Sequence, residues 1–237
     1  MRGTTRHQLK EDKFAEAAKG TVDWAGHHRK LVSVGSTVLL VAAALGVGGW
    51  ALLRWQEQKA SFGLGTALRT YQRPLRPAGT PENPDFPSFA SATERAKTAR
   101  AEFQKIADQY PYTRTGKMAH YYVGLTAMEQ GDTATAEREL KAIAQSGEKD
   151  LGPLAKLALA TLYRSQKRDA DAIQIYRELI DHPSETVPKA TAQLELASLY
   201  EEKQPAEASK LYQQIRIENP TNVAGELAAA RMSKLEK

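Results

Sequence analysis

The sequence predicts an all-α protein, with a single N-terminal transmembrane helix followed by helix pairs stacked into an α-solenoid. Three observations predict it. First, 23 consecutive residues, Leu31 to Leu53, carry neither a charge nor a proline. Second, a small residue followed four positions later by a large one recurs at Ala99/Phe103, Ala136/Leu140, Ala172/Tyr176 and Ala208/Tyr212, at intervals of 37, 36 and 36 residues. Third, a proline or glycine that stops a helix closes each unit, at Tyr110-Pro111, Ser146-Gly147, His182-Pro183 and Asn219-Pro220.

Residues 1–30 read as a cytoplasmic tail. Within it, LKEDKFAEAAKG can form a short helix from Leu9 to Lys19 that Gly20 stops, leaving Val22 and Trp24 for the membrane surface. Leu9 and Phe14 fit either a docking motif for a cytoplasmic partner or a locally ordered juxtamembrane segment. The run 31–53 follows. As a helix it measures roughly 35 Å, against a hydrocarbon core of about 30 Å. Arg29 and Lys30 precede it, and Trp50, Arg54 and Trp55 close it, as membrane interfaces demand. A cleaved signal has an apolar core of about 7 to 15 residues after a short basic stretch, so this longer run behind a mixed-charge tail predicts an uncleaved anchor. With no cysteine there is no palmitoyl or prenyl anchor, and Met1-Arg2 lacks the glycine that myristoylation requires. Ala42 and Gly46, one turn apart, form a small-xxx-small pair too common in such helices to assign a contact. Seven Lys/Arg lie in residues 1–30 and four in 54–73, so the positive-inside rule places the N-terminus in the cytoplasm and exports the rest.

Residues 54–237 read as one repeat domain. They hold 26 basic and 24 acidic residues, so the sequence pI near 9.3 does not mark a polyanion binder. Runs such as Glu137-Arg138-Glu139 and Lys167-Arg168-Asp169 mix the signs, which excludes a nucleic-acid face and fits solvated helix surfaces. Residues 55–72 predict a helix with Phe62, Leu68 and Tyr71 on its apolar side, partnered by Ala92 to Tyr110. Between them, loop 73–90 carries Pro74, Pro77, Pro81, Pro84 and Pro87, which forbid regular structure and predict an extended connection. It suits a spacer or a partner-binding proline segment. Later first helices carry Val123-Gly124, Leu159-Ala160 and Leu196-Ala197, and the small/large series marks the second helices. The small residue lets two axes approach, and stacking of neighbours buries the faces that one pair cannot bury alone. Residues 223–236 read as a capping helix.

No catalytic constellation emerges. The histidines are His7, His27, His28, His120 and His182, and there is no HExxH or CxxC. Gly63-Leu64-Gly65 has no preceding strand and no following Gly-Lys-Ser/Thr, so it is not a phosphate loop. The expectation is a non-enzyme without metal or cofactor.

The repeat resembles the tetratricopeptide repeat, most closely from Val123-Gly124 through Gly131-Asp132-Thr133-Ala134-Thr135-Ala136 to Leu140. It departs in lacking the early tryptophan and in placing Lys167, then Gln204-Pro205, where the turn glycine stands. The resemblance implies a concave partner-binding side lined by first helices. Its inward positions would be Met118, Tyr121, Leu125 and Met128, then Leu154, Leu157, Thr161 and Arg164, then Thr191, Leu194, Ser198 and Glu201. Met118, Tyr121, Leu125, Met128, Leu157, Arg164 and Leu194 are the candidate groove residues, with binding and packing both open for the apolar ones. The Lys/Asn clamp by which some relatives hold acidic chaperone tails is absent, since Tyr121, Leu125, Ala158, Thr191 and Glu195 stand there. The tail stretch, the anchor, the helix after it and AHYYVGLTAMEQGDTATAEREL together resemble the bacterial ancillary subunit of the Sec translocon, from about Leu9 to the C-terminus. That resemblance implies an inner-membrane protein with periplasmic repeats. Its protein partners would be the Sec channel, periplasmic chaperones or exported polypeptides that it holds or hands over. An envelope or division-coordinating scaffold, and a membrane-bound adaptor of another complex with cytoplasmic repeats, are the alternatives.

Overall fold

The computed structural model describes residues 26–235, and the expected tail helix at Leu9 to Lys19 lies outside them. The described residues form nine helices and no strand. Helix α1, Arg29–Tyr71, is 43 residues long, because neither proline nor a capping turn separates the apolar run from the polar residues after it. The apolar run and residues 55–72, expected as successive segments, are therefore one continuous helix. Among the described residues, α1 is the one helix long and apolar enough to cross a membrane, and its apolar window is wholly exposed. Just after the uncharged run 31–53, the Arg54 guanidinium lies 5.2 Å from the Trp50 ring centroid, one helical turn back.

The chain divides into two compact units between Trp55 and Gln56. In the second unit, the end of α1 is followed by α2 (Ala92–Gln109), α3 (Arg114–Glu129), α4 (Thr133–Ala144), α5 (Leu151–Ser165), α6 (Asp169–Asp181), α7 (Lys189–Tyr200), α8 (Pro205–Glu218) and α9 (Val223–Leu235). Short polar side chains start several of these helices. Ser91 accepts from the Glu94 N–H, Thr113 from the Gly116 N–H, Asp132 from the Thr135 N–H, and Asn222 from the Ala224 and Gly225 N–H groups. The small/large pairs sit on α2, α4, α6 and α8, and all eight residues are buried. Opposite them on α3, Gly124 lies so close to α4 that a Cβ there would stand 2.8 Å from the Leu140 Cγ. One apolar cluster runs from α3 to α9, and another joins α1, α2 and α3.

Two of the turns between paired helices use a left-handed residue, while the α7/α8 turn does without one, Gln204 standing at φ −142°. Gly131 supplies it between α3 and α4 at φ +75°, and 36 positions later Lys167 is forced to φ +61° between α5 and α6. An L-residue there is strained by roughly 1–2 kcal/mol. Lys167→Gly is accordingly expected to stabilise the domain by about 0.5–1 kcal/mol after the entropy of the unfolded glycine is subtracted, read from urea unfolding midpoints.

Two expectations are corrected. On α1, Leu68 and Tyr71 do face the core, but Phe62 is 80 % exposed, and Ala60, Leu64 and Ala67 are the buried residues. Phe62 and Tyr71 are nine residues apart, two and a half turns, and so lie on opposite sides of the helix. In place of an extended connection, residues 73–90 form a closed loop. The Phe89 N–H donates to the Pro74 carbonyl (3.0 Å), the Arg76 N–H to the Phe89 carbonyl (2.9 Å), and the Arg76 guanidinium to the Ser88 carbonyl (2.7 Å). Proline removes a donor but leaves its carbonyl to accept, which suffices to close the loop.

Candidate protein-binding surface

The first helices α3, α5 and α7 carry all seven candidate residues, and each is half-buried. Met118 and Tyr121 pack on Ile143, Leu151 and Ala155, while Leu125, Met128, Leu157 and Leu194 pack on the main core. Leu157 also touches the cluster of Leu179, Val187 and Ala192. Arg164 is a strut from α5 to α7. Its guanidinium donates to the Ser198 hydroxyl at 3.1 Å and carbonyl at 3.4 Å, and lies 3.6 Å from the Glu195 carboxylate. Five apolar side chains on α3 and α5 therefore each seal a joint with part of their surface and leave the rest open. Burial pushes the Tyr121 hydroxyl up, and neighbouring Tyr122 adds to the shift, so it stays neutral.

What sequence reasoning missed is the support behind this face. Phe103 stacks on Tyr122 with centroids 4.9 Å apart, Tyr71 meets both edge-on at 6.1 Å, and Tyr121 meets Tyr122 edge-on at 5.5 Å. The Tyr71 hydroxyl donates to Glu129 at the end of α3, and burial, with that carboxylate, raises its pKa. At the start of α3, the Glu57 carboxylate on α1 accepts from the Thr115 N–H at 3.2 Å and from its hydroxyl, where an anion suits a helix N-terminus. The Tyr121-Tyr122 pair was the visible signal; its partners 19 and 51 residues away from Tyr122 were not.

Ion pairs brace the joints. Glu139, buried between α3 and α4, lies 2.7 Å from the His120 Nδ1 and 2.8 Å from Arg138; His120 first, then Arg138, holds its carboxyl below the usual range despite burial. Arg100 on α2 donates to Asp132 at 2.7 Å. That guanidinium, followed by the Thr135 N–H, holds the Asp132 carboxyl at about 2. Because folding lowers this pKa, ionised Asp132 stabilises the fold above its unfolded value of about 4, and the contribution is lost as pH falls from about 4 to about 2. Asp132→Asn keeps a capping side chain without the charge. It is expected to melt below the wild type at pH 7, with the gap closing by pH 2; a gap unchanged at pH 2 would show that the charge is not the cause.

Residues 23–181 match the tetratricopeptide repeat-like domain family, two-thirds of the chain. The chain belongs to that family. No curated protein and no solved structure matches it. Tetratricopeptide-type repeats are protein-interaction modules, and this repeat domain is a protein-binding scaffold in a chain that also carries a membrane-length apolar helix. Among the described residues, no cluster of three or more His, Cys, Asp or Glu side chains is placed to hold a metal ion.

Proposed function

We propose that the chain is a single-pass inner-membrane scaffold with a cytoplasmic N-terminus and exported repeats, ancillary to the Sec translocon and its periplasmic chaperones. In this reading the domains are the tail 1–30, the anchor 31–53 and the repeat domain 54–237, capped by 223–236. It holds or hands over emerging polypeptides and performs no reaction. The observation that carries the binding role is the half-buried apolar set Met118, Tyr121, Leu125, Met128 and Leu157 on α3 and α5. Apolar groups held by one flank and open on the other, two of them flexible thioethers, suit clients of varied sequence. The lysine and arginine excess before the apolar run supports the orientation.

Two measurements test it. A periplasm-specific reporter fused after Lys237 is expected to be active and a cytoplasm-specific one silent, and the full chain is expected to co-purify with the Sec channel in mild detergent. Midcell accumulation without the channel would favour the division scaffold instead. Because Tyr121 and Leu125 support the core, lysines there would confound binding with folding. Met118→Gln with Met128→Gln leaves both of those residues in place and is the gentler pair, expected to weaken capture of an unfolded exported polypeptide about tenfold, or 1.4 kcal/mol. Undiminished capture by that variant would remove the first-helix face from the reading.

A further inference from the structure

The loop between α1 and α2 holds an aromatic side chain that the core does not use. The base of the loop is closed by the hydrogen bonds among Pro74, Arg76, Ser88 and Phe89, and the Arg95 guanidinium ties it to α2 by donating to the Arg73 carbonyl at 3.3 Å. Beyond the base, Asn83-Pro84-Asp85-Phe86 form a second turn. The Phe86 N–H donates to the Asn83 carbonyl at 3.1 Å, and the Asp85 N–H to the Asn83 side-chain oxygen at 3.0 Å. A proline at the second position presets such a turn, and Pro87 disfavours helical backbone at Phe86. Phe86 is thus held from both sides, yet it is 75 % exposed and belongs to none of the apolar clusters, whereas Phe89 at the base is half-buried.

The charges choose the partner. Between Arg76 and Arg95 the chain has no basic residue, and the two carboxylates beside the turn, Glu82 and Asp85, are exposed and pair with no group among the described residues. An anionic lipid surface repels both, and a second copy meeting turn to turn brings like charges together. We propose that this turn docks into a partner protein, with Phe86 filling an apolar pocket whose rim carries lysine or arginine against Glu82 and Asp85. An aromatic anchor in a desolvated pocket supplies much of the energy of a protein interface, and a turn already held in one shape loses little freedom on docking. The turn shares no residue with the first-helix face.

Phe86→p-benzoylphenylalanine keeps an aromatic at the turn and makes it photo-reactive. It is introduced into the full chain in the membranes of the cells that produce the protein, and the adduct is mapped by mass spectrometry. The expected adduct lies in another protein, among apolar residues flanked by Lys or Arg. Its yield is expected to fall about tenfold or more when Glu82→Lys and Asp85→Lys are added, as charge reversal at a complementary rim requires. Thermal unfolding of that variant is expected to match the wild type, because neither carboxylate has a partner within the fold. An adduct to lipid, to a second copy or to a segment without basic flanks would overturn the proposal, as would no adduct or one that survives the charge reversal. The Met118→Gln, Met128→Gln variant is expected to give the same adduct, which separates failure of this site from failure of the first-helix face.

Discussion

Gly116→Ala is expected to destabilise the repeat domain by about 3 kcal/mol or more, the upper end for overpacking a core. The glycine sits in the first turn of α3, where the chain has just left α2 at Tyr110-Pro111. The Tyr110 carbonyl turns back over it, so that a Cβ at Gly116 would lie 1.8 Å from that oxygen and 2.7 Å from its carbon. No side chain can swing aside to relieve the contact, because the obstructing atoms are backbone. The Tyr110 carbonyl also accepts from the Thr113 N–H at 3.1 Å and its hydroxyl at 2.8 Å, so moving it would break the cap of α3 as well. Urea unfolding of the wild type and Gly116→Ala measures the difference, and equal midpoints would mean that the turn has slack. Gly225 repeats the geometry, 1.8 Å from the Asn219 carbonyl oxygen, but belongs to terminal α9. Its alanine variant is expected to free α9 and leave the other helices folded, since a stacked array loses its ends first.

Phe103→Ala is expected to cost about 3–5 kcal/mol, the usual range for emptying a buried aromatic site. Phe103 is fully buried and joins three helices, through Tyr122 on α3, Tyr71 on α1 and Ala99 on its own helix. The loss is expected to be local. Hydrogen exchange should show α1 (from Gln56) and α2 losing protection while α5 to α8 keep theirs, because coupling in a repeat array passes through nearest neighbours. Uniform loss of protection would instead identify the domain as one cooperative unit.

The fold was legible because its signals are local. A small residue four before a large one reports a helix face, and prolines or glycines 36 or 37 residues apart report its ends. Nothing in that pattern says what covers a face. Phe62 and Phe103 are the same residue type on neighbouring helices of one pair, yet one stands in water and the other is sealed. Met118, Tyr121 and Leu125 read equally well as groove or core, and they are partly both, because a first helix packs one flank on the next pair and keeps the other open. The loop at 73–90 was legible as proline-rich, but its closure depends on carbonyl acceptors that composition does not report.

The sequence by itself determined that the chain is helical, that residues 31–53 can span a bilayer, and that the rest repeats, since these follow from hydropathy, spacing and backbone stereochemistry along the chain. Only the tertiary structure decided that Glu57 caps α3, that Arg100 holds Asp132, that Tyr71 joins the Phe103/Tyr122 stack, and that Lys167 takes a glycine's conformation. The first three are meetings of residues 32 to 58 positions apart, fixed by how helices stack, and the last is imposed on one residue by the two helices it joins.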